Sequence, residues 1–245
     1  MTEGRGRSLS GSAALHKIGS GATLAGPWEG TSGHARVERV ADRRPDLATP
    51  ASILPPGHAV RRLWPSDQPA ILDYFLRLDP ETRANRFLGG VGEAGVRAYA
   101  ERVVAADGLA FGAFVEGVLR GLGELRPAGP HASAFSLGAQ AEAAFAVETE
   151  YRRRGLGAAL FARIARAARN RGVGSLHVRC LARNRPMIRL AAKLGAELRT
   201  GGFQAEGDVA LSQPTPFSLW YETIAEAYDF TLAVVQPPVR TDEAA

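Results

Sequence analysis

Apolar positions along the chain change period several times, and each change predicts an element. Residues 1–57 show no sustained period: Gly, Ser, Ala and Arg dominate, and Gly19-Ser20-Gly21, Gly30-Thr31-Ser32-Gly33 and Pro55-Pro56 punctuate them as loops do. So few apolar anchors cannot offset the entropy of ordering, so a disordered, low-complexity extension is expected there. Order is expected to begin near Ala59. Ala59-Val60-Arg61-Arg62-Leu63-Trp64 reads as a strand closed by Pro65-Ser66-Asp67. Ser66 or Asp67 can cap a helix in which Ile71, Leu72, Phe75 and Leu76 share a face. A second capped helix starts around Asp79-Pro80-Glu81, and a third is expected from Glu93 to Val104, carrying Val96, Tyr99, Val103 and Val104.

Two short apolar runs follow, Leu109–Val115 and Val118–Leu125, with Glu116-Gly117 between them as a tight-hairpin signal. After a loop over 127–137 come a strand Glu142–Val147, a glycine-rich turn, a long helix to Arg171 and a strand Ser175–Leu181. A helix from Asn184 to Leu194 ends at Gly195, as a C′ glycine does. A hairpin is expected across 196–213 with Gly201-Gly202 and Gly207 at its turns, and Thr215–Val234 reads as mostly helical. The order predicts an α/β fold of mixed α+β type: a mixed sheet of about six to seven strands with helices on both faces. The expected organisation is an extension over 1–57, one domain over 58–235 and a disordered tail over 236–245.

Composition narrows the class. Of 245 residues, 45% are apolar, and the net charge of +5 is scattered; nearly all basic residues are Arg, with Lys17 and Lys193 the only lysines. No basic stripe of the kind that binds nucleic acid is visible, and no apolar run is long enough for a membrane span. Arg5 and Arg7 are not followed by an apolar segment, so no signal peptide is expected and the cytoplasm is the default compartment. Cys180 is the only cysteine, which excludes an internal disulfide and a cysteine-based zinc cluster; its apolar neighbours predict a small buried hydrophobe. The five histidines, His131 and His177 among them, show no His-x₃-His pattern, so no metal is expected.

Chemistry concentrates in Arg152-Arg153-Arg154-Gly155-Leu156-Gly157. A strand turning through glycines into a helix presents free backbone N–H groups and the positive end of the helix dipole, a phosphate-binding arrangement. A P-loop would require Lys-Ser/Thr after the glycines, and a dinucleotide loop would require glycine where Leu160 stands. A coenzyme A pyrophosphate loop remains, beside the plainer reading of a solvated arginine run ahead of a helix. In the following helix Leu156, Leu160, Ile164 and Ala168 form one stripe while Arg163, Arg166 and Arg169 lie elsewhere, as in an amphipathic helix docked on a sheet. Asn184-Arg185-Pro186 opens the second block, with Asn184 as N-cap and Met187, Leu190, Ala191 and Leu194 on one face.

Together, Ala143–Val147, Tyr151–Gly157 and Asn184–Ala196 resemble the GNAT superfamily of acyl-CoA N-acyltransferases. Arg86-Phe87-Leu88, Ala141-Glu142 and the Met187/Leu190 helix make the chain most similar to bacterial protein lysine acetyltransferase domains. The resemblance implies direct acetyl transfer from acetyl-CoA to a primary amine, a protein lysine being the expected acceptor. It implies that the backbone of Val147 to Thr149 pairs with the pantetheine arm and that Arg152, Arg153, Arg154, Gly155, Leu156, Gly157 and Ala158 hold the pyrophosphate. Asn184 would reach the pantetheine or the waters near the thioester. Glu142 matches the strand glutamate that serves as general base, and burial in an apolar tunnel would raise its pKa. Extended geometry puts Glu142, Ala144 and Ala146 on one face and Ala143, Phe145 and Val147 on the other, unless a bulge intervenes. Glu148 and Glu150 are rival acids expected at the surface. The chain departs from the family where a Tyr commonly protonates the leaving thiolate: the position is Ala191. Tyr151, Tyr221 and Tyr228 cannot be placed from sequence, so no acid is assigned. The alternatives are a non-catalytic acyl-CoA-binding module and an acetyltransferase of small-molecule amines; a nucleic-acid tether in residues 1–57 is a weaker third.

Overall fold

The tight hairpin forms where Glu116 and Gly117 both take positive φ, 48° and 77°, the twist a two-residue turn needs to join antiparallel strands. The computed structural model describes residues 54–105, 107–128, 137–235 and 237–239, with the backbone of Val37–Glu38. The expected extension, apart from those two residues and 54–57, lies outside the described residues, as do His131 and most of the tail.

The strands are β1 (Val37–Glu38), β2 (His58–Arg62), β3 (Leu109–Val115), β4 (Val118–Pro127), β5 (Gln140–Val147), β6 (Ser175–Leu181), β7 (Glu197–Gly201) and β8 (Gln204–Ala210). The helices are α1 (Gln68–Arg77), α2 (Pro80–Phe87), α3 (Glu93–Ala100), α4 (Leu156–Arg169), α5 (Arg185–Lys193) and α6 (Pro216–Val235). One sheet of eight strands runs in the order β1-β7-β8-β6-β5-β4-β3-β2. Its pairs are antiparallel except β5 with β6. Seven strands come from 58–210, matching the expected mixed sheet; β1 adds a two-residue edge pairing with Leu198 and Arg199.

Helices cover both faces. On one, Leu160, Phe161 and Ile164 of α4 and Met187 and Ala191 of α5 pack on Ala141, Ala143, Leu176 and Val178. On the other, Ile71, Tyr74 and Phe75 of α1 and Val96 of α3 pack on Ala110, Phe114, Leu119 and Leu122. The ordinary gain of about 25 cal/mol per Å² of buried apolar surface on both faces holds the layers together. β5 pairs with β4 in unbroken register from Ala141 to Val147, so the face alternation expected for Glu142 holds. The bulge lies one strand away, at Arg120, where the β3–β4 register shifts.

Two expectations are corrected. The third helix stops at Ala100 and gives way to turns through Ala105. Gly207 is not at a turn but midway along β8, where a Cβ would meet Leu198 Cδ2 at 2.8 Å and Glu197 O at 2.9 Å. Its glycine therefore answers to the close approach of β7. Of the α4 arginines that lie off the apolar stripe, Arg163 and Arg169 are themselves buried.

Candidate active site

The parallel pairing of β5 with β6 ends at Ala143 and Val178, while β5 runs on to Val147 and β6 to Leu181. Beyond that point the two strands splay. The β5 edge facing β6 keeps backbone groups that no strand pairs, and an extended ligand can bond to them as an added strand would. The turn into α4 stands at the mouth of the splay. Arg153 takes φ 60° and Gly155 φ 85°, turning the chain sharply into the helix. The first helical bond in the turn is Ala159 N–H to Gly155 O, 3.0 Å. The N–H groups of Leu156, Gly157 and Ala158 therefore point outward at the positive end of a 14-residue helix.

The two glycines differ in what they do. Gly155 needs its left-handed backbone, whereas Gly157 is helical, and a Cβ there would meet only Leu190 Cδ2 at an ordinary 3.4 Å. A helical glycine costs about 1 kcal/mol relative to Ala, and nothing in the fold requires that cost at Gly157. Free amides beside a missing side chain fit a phosphate drawn close to the backbone, and the fit extends to the splayed edge for the arm behind it.

The arginines divide in the same way. Arg152 turns inward: its Nε donates to Val147 O at 3.1 Å and its Nη2 to Thr82 Oγ1 at 2.5 Å. Arg153 and Arg154 stay exposed, with Arg154 over the Tyr151 ring at 5.1 Å and Arg120 over the same ring at 4.6 Å. Thr149 Oγ1 donates to Asp79 Oδ2, and Asp79, the N-cap of α2, accepts from the N–H and hydroxyl of Thr82. Burial opposes the charge of Asp79, but these hydrogen bonds and Arg152 outweigh it and hold the carboxyl below its usual value. Asn184 caps α5, its Oδ1 accepting from Met187 N at 3.3 Å, which leaves its Nδ2 as a donor.

Glu142 shares its face with Ala144 and Ala146, which are half-buried while Ala143 and Val147 are buried. It does not lie in an apolar tunnel: its side chain is 34% exposed, and Arg179 Nη2 stands 3.7 Å from its Oε1. Glu148 is corrected too. It is not a surface acid; it is held between Arg77 Nη2 at 2.9 Å and Arg120 Nη1 at 3.0 Å. Glu150 is exposed. Tyr221 and Tyr228 lie exposed on α6, and Ala191 is buried in the core. His177 bonds Asp208 at 3.1 Å, and burial raises the Cys180 thiol to about 11, which keeps it protonated.

Two features of this site carry no local signal. Tyr74, fully buried on α1, donates its hydroxyl to Ala146 O at 2.7 Å and so fixes the strand beside the splay. Beneath Ala144 lies a polar quartet centred on the buried Glu124. Glu124, its register partner on β4, accepts from Arg86, from Tyr99 Oη at 2.8 Å and from Arg126 Nε at 3.0 Å. Burial works against the Glu124 charge, but the two guanidiniums outweigh it and hold the carboxyl below its usual range. Burial also raises the Tyr99 hydroxyl to about 12. Arg86 supplies the one hint available in sequence, through the Arg86-Phe87-Leu88 helix end.

Comparison with known proteins agrees with this geometry. Residues 75–196 match the model of the acetyltransferase (GNAT) family. Among solved structures the chain is similar to the GNAT domain of a Streptomyces lividans protein named PAT, at 20% identity and TM-score 0.54, over 62% of this chain and 89% of that one. It is also similar to a GCN5-related N-acetyltransferase from Kribbella flavida, at 21% identity and TM-score 0.50, over 64% and 99%. No curated protein matches it in sequence. With the splayed β5 and β6, the free first turn of α4 and the family match over the segment that builds both, the chain carries an N-acetyltransferase domain of the GNAT family.

Proposed function

We propose that the chain transfers the acetyl group of acetyl-CoA directly to a primary amine, with a protein lysine as acceptor. The observation that carries this reading is the splay of β5 from β6 beside the open first turn of α4, with Glu142 on the adjoining face. When bound, acetyl-CoA supplies an acetyl thioester, already activated toward amines. The N–H groups of Leu156, Gly157 and Ala158 hold the pyrophosphate, Arg153 and Arg154 add charge at the mouth, and Arg152 fixes the turn from behind. The β5 edge near Val147 and Thr149, where Arg152 already holds the Val147 carbonyl, takes the pantetheine arm, and the Asn184 amide donates nearby.

An amine arrives protonated at neutral pH and must lose its proton to attack. The Glu142 carboxylate, beside the small side chains of Ala144 and Ala146, accepts that proton directly or through one water. A thiolate whose conjugate acid has a pKa of about 8.5 can leave without a Tyr at the Ala191 position. The same Ala191 also motivates the second reading, a module that binds acyl-CoA without turning it over.

A thiol-release assay with acetyl-CoA, run against lysine-containing peptides and proteins, polyamines, aminoglycosides and amino acids, tests the proposal. Lysine acetylation found by mass spectrometry supports it. Release with small amines alone overturns the acceptor, and tight acetyl-CoA binding with no release for any amine favours the binding module.

A further inference from the structure

α6 is mounted inside out. Its acidic residues face the domain: Glu222 and Asp229 are buried, and Arg163 donates to both, at 2.6 Å and 3.2 Å. Arg171 reaches Glu226 at 2.6 Å, and the Arg62 N–H donates to Asp229 at 2.9 Å. The opposite side carries Phe217, Trp220, Tyr221, Ile224, Tyr228 and Val235, all exposed. At 100° per residue these six form one stripe along the helix, whose 20 residues span about 30 Å at 1.5 Å each.

We infer that this stripe is the interface of a homodimer, in which α6 packs antiparallel on the α6 of a second copy across a two-fold axis. Area is the first argument. The four aromatics of the stripe are 44% to 71% exposed, which at about 200 Å² per side chain leaves on the order of 500 Å² of aromatic surface in water. That lies in the upper part of the roughly 300–600 Å² that the largest apolar patch of a monomer reaches, a size that often marks a functional surface, and with Ile224 and Val235 it approaches the roughly 800 Å² per partner of a stable interface.

Charge is the second argument. All three acids of α6 are turned to arginines of the same chain, so a copy laid against the stripe meets no like charge from the helix. Trp and Tyr at the centre of a patch are also the residues that anchor interfaces. Other occupants fit less well. α6 contains no Lys or Arg, unlike helices that lie on membranes. Residues 1–53, dominated by Gly, Ser, Ala and Arg, scatter their large apolar side chains in no sustained period that would match such a stripe.

Sedimentation velocity on the full chain at micromolar concentrations tests the inference, with Trp220→Glu and Tyr228→Glu measured alongside. The wild type is expected as a dimer, and each variant as a monomer with dimerisation weakened at least about tenfold, its cooperative thermal melt retained. Should a charged variant fail to fold, Trp220→Ala replaces it. A wild type that stays monomeric overturns the inference, whether the stripe is then bare, covered by residues 1–53 or bound to lipid vesicles. A dimer equally tight in both variants overturns it too, because the contact then lies elsewhere.

Discussion

Thr149 and Asp79, 70 residues apart, are joined by a 2.8 Å hydrogen bond from the threonine hydroxyl to the aspartate. That bond ties the turn before α4 to the N-terminus of α2. Arg152 reinforces it through Thr82, so the loop that would hold pyrophosphate is braced by the helix layer on the opposite face. Bracing of this kind lets a loop bind a ligand without losing much entropy at the moment of binding.

Replacing Asp79 by Ala is expected to lower stability by about 1–2 kcal/mol through the lost cap. It should also weaken acetyl-CoA binding about fivefold through the freed loop. Asp79→Asn, which still caps, should retain most of the stability. Denaturant melts and calorimetry on both variants separate the two effects; unchanged affinity in Asp79→Ala would sever the loop from α2.

Glu124→Gln leaves the buried guanidinium of Arg86 and the half-buried one of Arg126 without their shared carboxylate. A loss of about 3–5 kcal/mol is expected, read from denaturant midpoints. The wild type should show a related acid response. Glu124 and Asp79 both have folded pKa values below their ordinary 4.5 and 3.8. Their stabilisation is complete above those values and is lost as pH falls below them. Asp229 acts in the opposite sense, because burial raises its pKa: the fold gains from its protonation as pH falls toward 3.8. Asp229→Asn should therefore steepen the acid transition of the whole chain, and a shallower transition would contradict this assignment.

Glu142→Gln keeps the size of the side chain and removes its basicity. Turnover at neutral pH is expected to fall about 100-fold or more, with acetyl-CoA affinity nearly unchanged. Steady-state kinetics beside calorimetry give both numbers, and turnover like the wild type removes Glu142 from the role of base.

What the sequence revealed was local. The turn at Arg152–Gly157 and the Asn184 cap are set by neighbouring residues, so spacing alone placed both at helix N-termini. The Glu116-Gly117 hairpin and the faces of β5 were legible for the same reason. Glu124 was not, because its partners on α2, α3 and β4 meet only through tertiary register. The buried side of α4 was hidden likewise: Arg163 looks solvated until α6, with Glu222 59 residues on, covers it. Amphipathicity tells which residues share a face, and at α6 the polar face turned inward because another helix offered it arginines.

The most direct test of the central claim is calorimetric titration of acetyl-CoA into the wild type and into Gly157→Leu. A Cβ at Gly157 meets only Leu190, at 3.4 Å, so the variant should fold. Saturable binding by the wild type and its loss in the variant, with both melting cooperatively, is the predicted result. Equal affinity in the two proteins, or no binding by the wild type, would contradict an acetyl-CoA site at the start of α4.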